Sequence, residues 1–194
     1  VAGDLIVKFT DASEAGQAVT RAMRAERLPE EITAIAARLS EELGVALAAA
    51  RVTSGRELVL SVDRARLAQA LRQRVSRDPA VRKVTPLEPP RTVRRAAEMA
   101  FVVDLAPDSV AQRQVAQAAR AGRRTTPDVD RLVARLTADA YPQPAAQVSS
   151  RGELTLTVDV AALTRELVER LKRRPDVDYA QLSHIVRPYG GGAS

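Results

Sequence analysis

The chain alternates between short segments in which every second residue is apolar and longer segments in which apolar residues recur every three or four positions. Leu5, Val7 and Phe9 occupy alternate positions, which predicts a β-strand with these side chains on one face. Pro29 and two acidic residues then begin a predicted helix that Gly44 ends. The apolar stripe of this helix consists of Ile32, Ile35, Ala36, Leu39 and Leu43.

The next segments predict a hairpin, a helix and a strand. Strands over residues 46–53 and 57–62 flank the turn residues Ser54 and Gly55. Asp63 caps the following helix, and residues 78–79 (Asp-Pro) end it. A last strand is predicted from Val81 to about Leu87, although Pro86 restricts that strand to the edge of a sheet.

The same pattern then repeats. Residues 54–63 recur at residues 150–159, a shift of 96 positions that continues along the chain. The second copy predicts strands near residues 100–105, 145–149, 153–158 and 177–186, and helices near 127–138 and 160–173. Extra helical segments are expected at residues 12–26 and 108–121. The predicted domains are residues 1–90 and 98–194, joined by a linker of residues 91–97.

This order of elements predicts an α+β fold of two tandem ferredoxin-like (βαββαβ) domains, each an antiparallel four-stranded sheet with helices on one face. The other face of each sheet is expected to stay open and to suit contact with another protein. In the third strands that face carries Glu57, Val59 and Ser61, and in the second copy Glu153, Thr155 and Thr157.

Composition and charge narrow the function classes. The chain is 45% hydrophobic but only 3% aromatic, so its cores must be aliphatic, and the absence of cysteine excludes disulfides and thiolate metal sites. A net charge of +6 and arginine clusters such as Arg91, Arg94 and Arg95 would suit a nucleic-acid-binding protein. RNA-binding modules of similar fold stack bases on aromatic side chains, and the predicted third strands contain none.

No catalytic constellation is visible. His184 is the only histidine, so every His-based triad or histidine-rich metal site would have to include it, and its neighbours Ser183 and Ile185 are predicted on the same strand. Asp63 and Asp159 are equivalent helix caps, not a carboxylate pair. No helix is predicted after the glycine run of residues 190–192, so the run is not a phosphate loop. We therefore expect no enzyme activity and no cofactor.

Residues 177–189, VDYAQLSHIVRPY, resemble the last strand and active-site tail of the propeptides of subtilisin-like serine proteases. The resemblance implies that the tail, Val186, Arg187, Pro188, Tyr189 and Gly190, lies in the protease cleft as a product mimic. Tyr189 would fill the pocket for the residue before the cleaved bond, and Val186 the pocket three residues earlier. The resemblance also implies the ferredoxin-like fold. In that family the open sheet face packs against the protease, which would place Glu153, Thr155 and Thr157 at the contact.

The first copy departs from the family's tail. The residues equivalent to Val186–Tyr189 are Pro90, Arg91, Thr92 and Val93, so we expect residues 98–194 to carry the inhibition and the first copy to be accessory. The expected function is inhibition of a subtilisin-like serine protease, with intramolecular folding chaperone as a possible second role. The chain could be an excised pro-region or a free-standing inhibitor.

The alternatives are a non-inhibitory protein–protein interaction module and, less favoured, a nucleic-acid-binding protein. The expected partner is the protease, without nucleic acid or membrane. The resemblance and the absent initiator methionine predict a secreted or periplasmic location.

Overall fold

The computed structural model describes residues 2–88 and 97–183. Within these residues the chain forms eight strands and six helices. In chain order they are β1 (Asp4–Phe9), α1 (Glu14–Ala22), α2 (Glu30–Leu43), β2 (Leu47–Val52), β3 (Leu58–Val62), α3 (Arg64–Val75), β4 (Val81–Leu87), β5 (Glu98–Leu105), α4 (Val110–Arg120), α5 (Pro127–Leu136), β6 (Ala145–Val148), β7 (Leu154–Asp159), α6 (Val160–Lys172) and β8 (Val177–Leu182).

The strands form two four-stranded antiparallel sheets, which confirms the predicted mixed α+β class. Sheet A has the strand order β2-β3-β1-β8, and sheet B has the order β4-β5-β7-β6. The last strand of each copy has therefore moved to the sheet of the other copy. The prediction that each copy would supply all four strands of its own sheet is wrong, because β8 pairs with β1 and β4 pairs with β5.

Helices α3 and α6, which precede β4 and β8 in the chain, pack in the same unit as those strands. Beyond the end of α6, Arg174 forms an ion pair with Glu42 of α2, and Arg170 donates a hydrogen bond of 2.8 Å to the carbonyl of Leu43. Beyond the end of α3, Asp78 forms an ion pair of 2.8 Å with Arg135 of α5. The helix–strand pairs α3–β4 and α6–β8 are thus exchanged as whole units.

Two units result from this exchange, and we name them after their sheets. Unit A comprises residues 2–63 and 160–183, and unit B comprises residues 64–88 and 97–159. Unit B lies within the sequence of unit A. The predicted linker of residues 91–97 connects β4 and β5, two paired strands of sheet B, whereas the chain passes between sheets next to Asp63 and Asp159.

Local sequence signals account for the bounds of the helices. The side chains of Asp63 and Asp159 accept hydrogen bonds from N–H groups in the first turns of α3 and α6, at 3.1 and 2.8 Å. Gly44 ends α2 with a left-handed φ of 71°, which a glycine adopts at little cost. The extra helical segments are confirmed as α1 and α4, each shorter than predicted.

One face of each sheet is covered by helices and forms the core. Leu5, Val7 and Phe9 line it in sheet A. The equivalent leucines of α3 and α6 are buried as predicted: Leu67, Leu71, Leu163 and Leu167. Pro86 lies on β4, an edge strand, as its missing N–H requires. Within residues 2–88 and 97–183, no helix combines the length and apolar character needed to cross a membrane.

Candidate functional site

Strand β8 leads into the predicted tail, and it lies at the edge of sheet A. Its pairing with β1 places Leu182 opposite Leu5, and the N–H of Ser183 donates a hydrogen bond of 3.1 Å to the carbonyl of Asp4. The tail residues themselves, Val186, Arg187, Pro188, Tyr189 and Gly190, lie outside the described residues, as does His184. What the structure places is the point from which the tail departs.

The predicted sheet-face residues of the second copy lie on the open face of sheet B. On β7, Thr155 and Thr157 are half-buried, while the alternate residues Leu154, Leu156 and Val158 are buried against the helices. Glu153 is exposed directly before the strand. The side-chain alternation is therefore as predicted, but β8 belongs to sheet A. The structure does not bring these three residues and the start of the tail onto one sheet.

The open face that adjoins the tail is that of sheet A. There Tyr179 of β8 lies opposite Lys8 of β1, and its hydroxyl donates a hydrogen bond to the carboxylate of Glu57. The other oxygen of Glu57 accepts a hydrogen bond of 2.7 Å from the hydroxyl of Thr53. Because β1 lies between β8 and β3, the side chain of Tyr179 reaches across β1 to Glu57, which directly precedes β3. We call these three side chains, Tyr179, Glu57 and Thr53, the cross-sheet network.

The cross-sheet network has a definite charge state at neutral pH. The hydrogen bond to Glu57, followed by desolvation, raises the pKa of Tyr179 to about 12. The hydrogen bonds from Tyr179 and then Thr53 lower the pKa of Glu57. Tyr179 is therefore a neutral donor and Glu57 an ionised acceptor over the whole physiological range.

The rest of this face is also partly closed by its own side chains. The hydroxyl of Ser61 donates a hydrogen bond of 2.7 Å to the carboxylate of Asp4, at the end of the sheet near Ser183. Val59 is only 3% exposed although it lies on the face opposite the helices. Its burial was not predicted, because it depends on side chains from neighbouring strands.

The open face of sheet B is different in character. Lys83 occupies the position equivalent to Tyr179 and lies opposite Asp104, and Leu87 of the same strand is 48% exposed. Across the part of sheet B that the structure describes, no hydrogen bond joins the side chains of Lys83, Thr155 and Thr157. The β7 side chains at the centre of this face, Thr155 and Thr157, are small, and no hydrogen-bond network like that of sheet A joins its described strands.

Sequence reasoning missed Tyr179 because its role depends on the exchanged strand. A period-2 pattern shows that Tyr179 and Gln181 share a face, but it does not show which sheet they join. Among the described residues, no group of three or more acidic or histidine side chains could hold a metal ion.

No family model, no curated protein and no solved structure matches this chain. The case for a function therefore rests on the chain's own residues.

Proposed function

We propose that this protein is a propeptide-like inhibitor of a subtilisin-like serine protease that inserts residues 186–189 into the active-site cleft as a product mimic. The observation that carries the proposal is the course of β8. This edge strand keeps its pairing to the end, and the substrate-like residues follow within three positions of Ser183. A tail that continues a rigid strand can be directed at a cleft at low entropic cost.

We further propose that each unit is ferredoxin-like. In both sheets the first and third strands of a copy are central, the second lies at one edge, and the fourth strand comes from the other copy. That order supports the split βαβ arrangement, with helices on one face and the other face available for a partner.

The docking face that fits the tail best is the open face of sheet A. The tail departs from β8, so a protease that holds Tyr189 would lie nearer to Gln181, Ser61 and the cross-sheet network than to Glu153, Thr155 and Thr157. We therefore move the proposed sheet contact from sheet B to sheet A. The residues of β7 remain the alternative contact.

The chemistry of the tail supports a product-like mode of binding. Pro188 restricts its own φ to about −65° and biases Arg187 towards extended backbone, the form that a protease cleft binds. Burial of a tyrosine ring removes about 150–250 Å² from water. At about 25 cal/mol per Å² this is about 4–6 kcal/mol, which ordering costs reduce to about 2–4 kcal/mol.

The first test is inhibition of a panel of subtilisin-like proteases by the full chain and by its Tyr189→Gly variant. We expect the substitution to raise the inhibition constant by about 30- to 1000-fold. Mass spectrometry should find a cut between Tyr189 and Gly190. Val93→Gly, at the equivalent position of the first copy, is the control and should leave inhibition unchanged. Absence of inhibition across the panel would favour the non-inhibitory interaction module.

A second pair of variants identifies the docking face. Gln181→Arg on β8 and Thr85→Arg on β4 are equivalent substitutions of exposed residues on the open faces of sheets A and B. We expect Gln181→Arg to weaken inhibition by about tenfold or more, because a buried unpaired charge is costly at an interface, and Thr85→Arg to have little effect. The opposite result would return the contact to Glu153, Thr155 and Thr157.

A further inference from the structure

A cleft of about 480 Å³ opens beside helix α3 where the two units meet. Its floor is apolar and includes the buried side chains of Leu67, Leu71 and Val158. Arg74 and Arg77 line it on the helix side. Its volume lies within the usual range for small-molecule sites, which often form between domains.

The internal duplication provides a second copy of this position for comparison. Arg170 of α6 is equivalent to Arg74 of α3. Their guanidinium groups donate to carbonyls at the end of α2 and shortly after the end of α5, those of Leu43 and Ala138. Arg170 has an additional partner: its guanidinium lies over the ring of Tyr141, 5.6 Å from the ring centre. The distance from Arg170 Nη1 to the Tyr141 hydroxyl is 3.5 Å. An aromatic ring thus occupies the position beside α6.

Among residues 2–88 and 97–183, no ring lies over the guanidinium of Arg74, although Tyr141 itself borders the cleft. Tyr141 belongs to the long connection between α5 and β6, residues 137–144. The corresponding connection between α2 and β2 is only residues 44–46, Gly-Val-Ala. Gly44 is the residue of unit A that lines the cleft beside α3, and it has no side chain to place there.

We propose that this cleft binds a small aromatic carboxylate, whose ring lies beside Arg74 as Tyr141 lies beside Arg170. Cation–π contact with an arginine and an apolar floor suit the ring. Arg77 is exposed and has no ion-pair partner among the described residues, so it is available to the carboxylate. Asp139 also lines the cleft, and two arginines with one carboxylate match a monoanion better than a polyanion. This site is separate from the proposed protease contact.

The test is an amide-shift titration of the full chain by NMR with 4-hydroxyphenylacetate. We expect saturable shifts centred on Leu67, Leu71 and Val158, with a dissociation constant of the millimolar order expected for so small a ligand. Cyclohexylacetate, which has the same charge but no aromatic ring, should bind about threefold or more weakly. Acetate alone should cause no saturable shift.

Two variants and a control make the assignment specific. Arg77→Ala should weaken binding by about three- to tenfold by removing a charged partner. Its equivalent in the other copy, Arg173→Ala, lies outside the cleft and should change nothing. Ala70→Trp places a ring in the cleft from an exposed helix position and should abolish binding while circular dichroism stays unchanged.

The absence of saturable shifts up to the solubility limit of the ligand would overturn the proposal. Equal shifts with acetate would also overturn it, since they would show a general anion effect. The same conclusion would follow if Arg173→Ala weakened binding as much as Arg77→Ala, or if Ala70→Trp left it intact.

Discussion

Sheets A and B have the same strand order and are built from equivalent sequences, yet they are assembled differently. Sheet B uses strands from one continuous part of the chain, whereas sheet A joins β1, β2 and β3 to β8, the last strand. Sheet A carries the cross-sheet network on its open face, and sheet B has Lys83 where sheet A has Tyr179. The two copies therefore share their buried positions, whereas the chain connectivity and the open faces of the two sheets differ.

Charge at the ends of the exchanged helices gives a physical reason for the connectivity. Asp78 and Arg174 are equivalent positions with opposite charge, and in the exchanged arrangement they meet Arg135 and Glu42. Without the exchange, Asp78 would take the place of Arg174 and face Glu42, and Arg174 would face Arg135. Both contacts would become repulsive, so the charges favour the observed arrangement over the alternative.

The largest expected effect comes from cutting the chain. A fragment of residues 64–159 contains all four strands of sheet B and should fold by itself, with a cooperative thermal transition in circular dichroism. Fragments of residues 1–90 and 98–194, which follow the sequence copies, each separate a sheet from its fourth strand and should not fold cooperatively alone. Independent cooperative folding of either of these fragments would contradict the exchange.

The second effect compares equivalent core leucines. Leu167→Ala should lower the free energy of unfolding by about 2–5 kcal/mol through lost burial and a residual cavity. Leu71→Ala should fall at the low end of that range, because Leu71 already borders the open cleft. Chemical denaturation of both variants measures the difference. A larger loss for Leu71→Ala would mean that the two units do not differ as described.

A smaller effect is expected from the ion pair of unit B. Asp78→Arg places two arginines together and should lower the free energy of unfolding by about 1 kcal/mol, since the pair lies near the surface. The double variant Asp78→Arg with Arg135→Asp should recover most of this loss. A double-mutant cycle without coupling would remove the electrostatic explanation of the exchange.

The smallest effect concerns the titration of Tyr179, whose pKa of about 12 lies above the ordinary value of 10.0. Because folding raises this pKa, the associated stability is fully present below about pH 10 and is lost as the pH rises towards 12. In Glu57→Gln, ultraviolet titration should show Tyr179 ionising nearer pH 10. Glu153→Gln, the equivalent change beside sheet B, is the control and should leave the titration of Tyr179 unchanged. If Glu57→Gln did not lower the pKa of Tyr179, the cross-sheet network would be excluded.

The sequence predicted local features well because their causes are local. Asp63 caps α3, Gly44 ends α2, and Leu71 and Leu167 face a core, since each depends on residues only a few positions away. The partner of an edge strand is a tertiary choice, so the period-2 pattern of β8 is the same in either sheet. The opposite charges at positions 78 and 174 are a signal only once α2 and α5 are known as neighbours.

The same limit applies to the candidate site. The alternation of apolar and polar residues correctly placed Thr155 and Thr157 on an open face. The prediction that this face belongs to the same sheet as β8 and the tail is wrong, because β7 lies in sheet B and β8 in sheet A. The burial of Val59 and the hydrogen bond between Tyr179 and Glu57 depend on side chains from different strands of sheet A. No local pattern contains that information.

The insertion of unit B within unit A has a consequence for biosynthesis. Synthesis runs from the N-terminus, so every strand of sheet B is made before α6 and β8. Strands β1, β2 and β3 of sheet A are made first, and their fourth strand, β8, is made only after the whole of unit B. Sheet A is therefore completed by the last described strand, and the proposed inhibitory residues are translated immediately after it. Completion of the docking face and synthesis of the tail are thus consecutive steps.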